Sequence, residues 1–177
     1  HAAMSATEPG VSGEFPRGRV TFLATGIEGS TVRWEIHGEY MARAVTMHDR
    51  ILRSAIEGSG GRVVKQLGDG LVAVFRSAEG ALGSALKAQV ALAEEDWSPV
   101  PALRVRMGIH SGWSEPIGDE YTGSVIHRSA CIADAGHGGQ VIISASTAGV
   151  VALPAGCEII SRGIRRLKDL AEPIELF

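Results

Sequence analysis

Hydrophobic and polar positions along the chain switch between two periods. Arg19 to Thr25 is a run of apolar and small residues that reads as a buried strand. From Trp34 to Ile56 the apolar side chains recur at helical spacing, through Trp34, Met41, Val45, His48, Leu52 and Ile56. Gly58-Ser59-Gly60-Gly61 then ends that helix, because glycine supplies the positive φ that helix C-termini use. A dinucleotide-type glycine motif would precede a helix, and these glycines follow one. Arg62–Leu67 and Leu71–Phe75 are β-rich runs flanking Gly68-Asp69-Gly70, a strong hairpin signal. Ala78 to Glu95 predicts an alanine-rich amphipathic helix. Leu103 to His110 predicts a strand with Leu103, Val105, Met107 and Ile109 on one face, and a short strand follows around Trp113 to Ile117. Thr122–Ala135 reads as a helix and Gln140–Ser144 as a strand. A short helix and one or two strands, near Glu158–Ser161 and Ile174–Phe177, complete the order.

The order β-α-β-β-α-β with a further αβ extension predicts an α/β (α+β) fold. Its core is ferredoxin-like βαββαβ, with helices expected on one face of the sheet. No internal repeat or interdomain linker interrupts it, so residues 18–177 read as one domain. Residues 1–17 carry Gly, Pro and Ser without periodicity and read as a flexible arm. Within them His1-Ala2-Ala3-Met4 reads as an expression remnant to be set aside. The last predicted strand runs to the final residue, as expected of one domain of a longer polypeptide.

Composition narrows the function classes. At 177 residues, 45% hydrophobic and 21% charged, the chain can bury a substantial core. A net charge of −3 gives no general attraction to nucleic acid or acidic membranes. The basic cluster Arg162, Arg165, Arg166 and Lys168 reads as a solvated face. Cys131 and Cys157 form neither a metal-type spacing nor a disulfide framework, which suits a reducing, cytoplasmic compartment. No apolar run reaches the ~18 residues of a membrane span.

Candidate chemistry begins at Thr21–Thr31, TFLATGIEGST. Backbone N–H groups from Ile27 through Glu28, Gly29, Ser30 and Thr31, opening a helix, would form a nest for a triphosphate. The same residues also suit a simple helix entry capped by Ser30 or Thr31. Asp69 at the hairpin tip is an isolated carboxylate or a turn device. Lys65, in a valine-rich strand, is a ligand or an edge-strand charge. His110, Ser111 and Trp113 read as structural, and Cys157 as a loop residue.

Together, VTFLATGIEGST, GGRVVKQLGDGLVAVF, LRVRMGIHSG, YTGSVIHRSACIADAGHGGQVIIS and LKDL resemble the catalytic domain of class III nucleotidyl cyclases, in order and spacing, over residues 18 to 177. The resemblance implies conversion of ATP to cyclic AMP and pyrophosphate. Two carboxylates would hold two Mg or Mn ions for in-line attack of the ribose 3′-hydroxyl on the α-phosphorus. It places the second metal carboxylate at Asp69, a base-reading lysine at Lys65 and its partner at Glu120, an adenine-leaning pair. It also implies a homodimer, or a heterodimer with another cyclase domain, whose active sites lie between the chains.

Three positions depart from that pattern. Gly26 stands where the first metal aspartate belongs. His127 and Cys131 stand where an asparagine and, four residues on, an arginine would stabilise the transition state. Glycine cannot ligate a cation, and a thiol cannot replace a guanidinium fork. Arg128 is no substitute, since one helical residue turns a side chain about 100°. Losing one transition-state donor typically costs ~10²–10³ in rate. The expectation is a divergent cyclase-homology domain with very low or no turnover, acting as a nucleotide-binding or dimerising signalling module. The other reading is a weakly active, Mn-favoured adenylate cyclase.

Overall fold

A computed structural model describes residues 14–177 of the chain. Its elements in chain order are β1 (Gly18–Ile27), α1 (Ser30–His37), α2 (Glu39–Gly58), β2 (Arg62–Leu67), β3 (Gly70–Phe75) and α3 (Ala78–Glu94). They continue with β4 (Val105–Ser114), α4 (Ser124–Ala135), β5 (Val141–Ile143), α5 (Ala145–Ala148), β6 (Gly163–Arg165) and β7 (Ile174–Leu176). The first five strands form one sheet in the order β2-β3-β1-β4-β5, and β6 and β7 form a separate hairpin. β1 runs antiparallel to both its neighbours, and β4 and β5 are parallel. The expected βαββαβ core with an αβ extension is present.

The alternation along the strands sorts side chains to two faces. Leu23, Ile27, Leu71, Phe75, Met107 and Ile109 pack against α2 and α3. Val20, Phe22, Ala24, Val72 and Val74 face the opposite way, toward Tyr121 and α4. Helices therefore cover both faces, which corrects the expected one-sided arrangement: strands buried on both sides need a cover on each. α4 lies close because β4 offers it glycines. A β-carbon at Gly108 would stand 2.3 Å from the Ala133 nitrogen and 2.8 Å from the Ser129 oxygen.

The stretch expected as one helix from Trp34 to Ile56 is two. Gly38, with φ at 49°, separates α1 from α2. The buried stripe Met41, Ala44, His48, Leu52 and Ile56 belongs to α2 alone, whereas α1 buries nothing. α3 starts where Ser77 accepts a hydrogen bond from the Gly80 N–H at 3.1 Å, an ordinary N-cap. At the hairpin Gly68 has φ of 51°, as a two-residue primed turn requires.

Two other boundaries move. β4 continues through His110 and Ser111 to Ser114, so no separate strand spans Trp113 to Ile117; Ile117 pairs with Glu120 instead. His110 and Ser111 are structural: Ser111 bonds Thr21 and Thr147 at 2.8 and 2.9 Å, and His110 Nδ1 bonds Ser144 at 2.7 Å. Trp113 is 72% exposed and lies over Gly18. The C-terminal hairpin uses Gly163–Arg165, not Glu158–Ser161, because that segment pairs in register with Ile174–Leu176. The expected arm, 1–17, lies largely outside the described residues. Its end is packed, with Phe15 edge-on to Tyr121 and the Tyr121 hydroxyl donating to the Pro16 carbonyl.

Candidate functional site

Where β1 runs into α1, a cavity of about 390 Å³ opens between the strand end, the β2–β3 turn and α4. Gly26, Ser30, Thr31, Asp69 and Arg106 line it, with Ala130, Ala133 and Asp134 as the α4 wall. The sheet positions these groups. β1 and β3 are adjacent, so the Asp69 turn lies beside the β1 exit, and the Ile27 N–H donates to the Asp69 carbonyl at 3.3 Å. Gly70 permits this approach: a β-carbon there would stand 2.2 Å from the Thr25 carbonyl oxygen. Thr25 also fastens the corner, its hydroxyl accepting from the Leu71 N–H at 3.0 Å.

The N–H nest is narrower than the sequence implied. The Ile27 N–H is used by Asp69, and the Glu28 N–H donates to the Arg104 carbonyl at 2.8 Å. What remains is the first turn of α1 beyond Gly29, whose N–H groups have no acceptor within the helix. Gly29 is the N-cap, with φ at 67°, and no side chain caps this helix. Neither Ser30 nor Thr31 takes the expected capping role. The Ser30 hydroxyl instead donates to Asp69 Oδ2 at 2.7 Å.

The carboxylates are arranged unequally. Asp69 faces the cavity. Glu28 is turned away: its Oε2 accepts the Gly138 N–H at 2.9 Å, and its Oε1 lies 3.9 Å from Arg106 Nη2. At Gly26 a β-carbon would meet nothing within 4 Å, so the position is open yet offers no ligand. Two carboxylates line the cavity, Asp69, already bonded to a hydroxyl, and Asp134 on the α4 wall; with none at position 26 they are a poor fit for a pair of divalent cations, each of which wants several oxygens. Among the described residues no group of three or more His, Cys, Asp or Glu is placed to hold a metal.

Arg106 escaped the reading of the sequence. It pairs with Gly26 across β1 and β4, and its buried Nε has no hydrogen-bond partner. The guanidinium thus stands opposite the missing carboxylate. The available signal was its place on the polar side of the Leu103–Ile109 alternation, but only the β1–β4 register shows what it faces. Arg33 was missed as well: it ties the loop down by donating to the Pro101 and Ala102 carbonyls at 2.9 Å each.

The remaining candidates lie elsewhere. Lys65 is exposed on the edge strand β2, paired with Val72, and Glu120 is exposed in the β4–α4 loop. Neither lines the cavity. His127 and Cys131 share a neighbouring face of α4 and look toward the C-terminal hairpin. His127 Nε2 lies 3.3 Å from the Asp169 carbonyl and 3.6 Å from Cys131 Sγ. The carbonyl only accepts, so it draws the proton to Nε2. Burial, then the nearby Asp134 and Asp169 carboxylates, push the Cys131 thiol above its usual pKa. It is therefore a packed thiol, not a thiolate.

No protein-family profile matches the chain. An uncharacterized protein of Mycobacterium tuberculosis is 35% identical over 162 residues, covering 89% of this chain and 54% of its own length. A receptor-type adenylate cyclase of Trypanosoma congolense is 30% identical, covering 89% of this chain and 27% of its own. The chain thus spans about half, or less, of the curated relatives it matches. Among solved structures, an adenylate cyclase from Trypanosoma brucei in its monomeric state superposes with a TM-score of 0.81 at 24% identity, over 96% of this chain and 92% of that one. The adenylyl cyclase CyaB from P. aeruginosa superposes at 0.75 and 19% identity, over 91% of this chain and 93% of that one. The architecture is therefore the class III nucleotidyl cyclase fold. In fold and in the order of its motifs, the chain is a cyclase-homology domain of that family.

Proposed function

We propose that this domain is a nucleotide-binding, dimerising signalling module with very low or no conversion of ATP to cyclic AMP. One observation carries the reading: Gly26 and Arg106 face each other where the resemblance requires a metal-binding carboxylate. The residues present do not fit a two-cation cage, so no step is routed through Mg or Mn. Their chemistry suits an anion. The first turn of α1 offers N–H groups and Arg106 a guanidinium.

Dimerisation is supported by what one chain lacks. Lys65, Glu120, His127 and Cys131 all lie outside the cavity of their own chain, so they meet a nucleotide only across a second subunit. α1, beside the cavity, leaves Val32 56% and Ile36 68% exposed, an apolar surface suited to a second copy or another cyclase domain. The free thiols suit a cytoplasmic setting. No helix among the described residues is long and apolar enough to cross a membrane. No use of nucleic acid is proposed.

A second reading, a weakly active adenylate cyclase, is favoured by the likeness to proteins named adenylate cyclases and by the retention of Asp69 and Lys65. One assay separates the two. Purified protein with ATP and Mn²⁺ is expected to yield at most traces of cyclic AMP; turnover near one per second, in the ordinary range of enzymes, overturns the proposal.

A further inference from the structure

The basic cluster near the C-terminus, which the sequence presents as a solvated face, encloses a second cavity. Arg162, Arg165 and Arg166 line a space of about 280 Å³ together with His137 and Gln140, over an apolar floor at Ile142. No carboxylate lines it, and it shares no lining residue with the cavity beside Gly26. We infer that this cavity binds a small phosphate-bearing anion of the diphosphate class, independently of any divalent cation.

Three observations converge on that chemistry. Three arginines line one cavity with no carboxylate in its lining to offset them, in a chain whose net charge is −3. An anion among them supplies that opposite charge and gains charge-assisted hydrogen bonds. The hairpin that carries them and the Arg165 side chain are also held in place. Arg165 Nε donates to the Arg162 carbonyl at 2.8 Å, and the Arg162 N–H donates to the Leu176 carbonyl at 2.8 Å, which fastens the hairpin. On the opposite wall the His137 N–H donates to Gln140 Oε1 at 2.8 Å.

Size decides between ligands. Pockets for drug-sized molecules run from about 300 to 1,000 Å³. A cavity of about 280 Å³ suits one or two phosphate groups rather than a whole nucleotide. Arginine forks match phosphate oxygens two at a time, which favours phosphate over a monovalent anion. The anion is either free diphosphate or the phosphate tail of a nucleotide whose base stays outside. The site also adjoins α4: Leu167 lines the cavity, and two residues on, Asp169 meets His127.

Calorimetric titration of inorganic diphosphate into the whole chain, with a chelator present, tests this. The unaltered protein is expected to bind, with affinity falling as salt rises. The R165A/R166A variant should bind at least about tenfold more weakly, since two charge-assisted contacts are removed. R165K/R166K keeps the charge but loses the fork, and should fall between; it carries the test if R165A/R166A melts early. In Arg106→Ala, which removes the guanidinium of the cavity beside Gly26, the part of the diphosphate heat that depends on Arg165 and Arg166 should remain. ATP titrated into the Arg106→Ala variant then tells the two sources apart: arginine-dependent heat assigns the nucleotide tail, and diphosphate heat alone assigns the free anion. Absence of binding by the unaltered protein overturns the inference. So does binding that is lost in Arg106→Ala and untouched in R165A/R166A.

Discussion

Two neighbouring faces of α4 look onto two very different places. On one side, Ala130, Ala133 and Asp134 wall a cavity that the sheet assembles within a single chain, with Ser30, Asp69 and Arg106 set by strand register. On the other, His127 and Cys131 are folded against the Asp169 turn and bond to the protein itself. On the proposed reading, the first place keeps groups suited to an anion. The second holds the positions where the cyclase resemblance would place the groups that act on it. Binding and turnover need not be lost together, because they draw on residues held by different parts of the fold.

The strongest way to break this contrast is to rebuild the missing chemistry. Gly26→Asp, His127→Asn and Cys131→Arg combined should raise cyclic AMP formation with Mn²⁺ by at least about 10²-fold, since each lost donor costs ~10²–10³ and the effects are not additive. Gly26 has room for a side chain. Cys131 is buried, so the arginine must push the Asp169 turn outward. If the triple variant binds ATP as a dimer yet stays silent, the assignment of these three positions is wrong.

Next in size is the support that keeps the two places apart. Gly108→Val places a branched side chain against the α4 backbone. It should cost about 3 kcal/mol in urea unfolding, seen as a lower midpoint. A change under about 0.5 kcal/mol would mean that α4 does not sit so close.

Arg106→Ala addresses the cavity alone. Removing a charge-assisted contact to phosphate should weaken ATP binding roughly 10- to 100-fold in calorimetry while leaving the melting temperature nearly unchanged. Equal affinity in the two proteins would remove Arg106 from the site.

A pH dependence arises remote from both places. Burial, then the charge of Arg128, lowers the His110 pKa from 6.5 to about 4. The unfolded chain binds the extra proton between those values, so stability is full above about pH 6.5 and falls as pH drops toward 4. Burial lowers the His48 pKa in the same direction. His110→Asn should flatten part of the stability slope across that window, up to about 3 kcal/mol in total. An unchanged slope in denaturant titrations would show that His110 does not carry it.

Much of the fold was legible because it rests on local periodicity. Apolar runs placed β1 and β3, alternation placed β4, and the helical stripe from Met41 to Ile56 fixed the buried face of α2. Trp34 misled, since a tryptophan at helical spacing reads as core while α1 in fact turns it outward beyond the break at Gly38. The end of the arm was misread for a related reason: Phe15 and Pro16 have no periodicity of their own, and they pack against Tyr121, far along the chain.

The sequence by itself determined the order of most strands and helices, the hairpin around Asp69 and the departures from the cyclase pattern at positions 26, 127 and 131, because these follow from residue type and near-neighbour spacing. Tertiary structure alone decided that Arg106 faces Gly26, that Glu28 turns toward Gly138, and that three arginines close around a second cavity. Each of those depends on strand register or hairpin docking between segments distant in the chain, and pairing across such distances leaves no mark in local pattern.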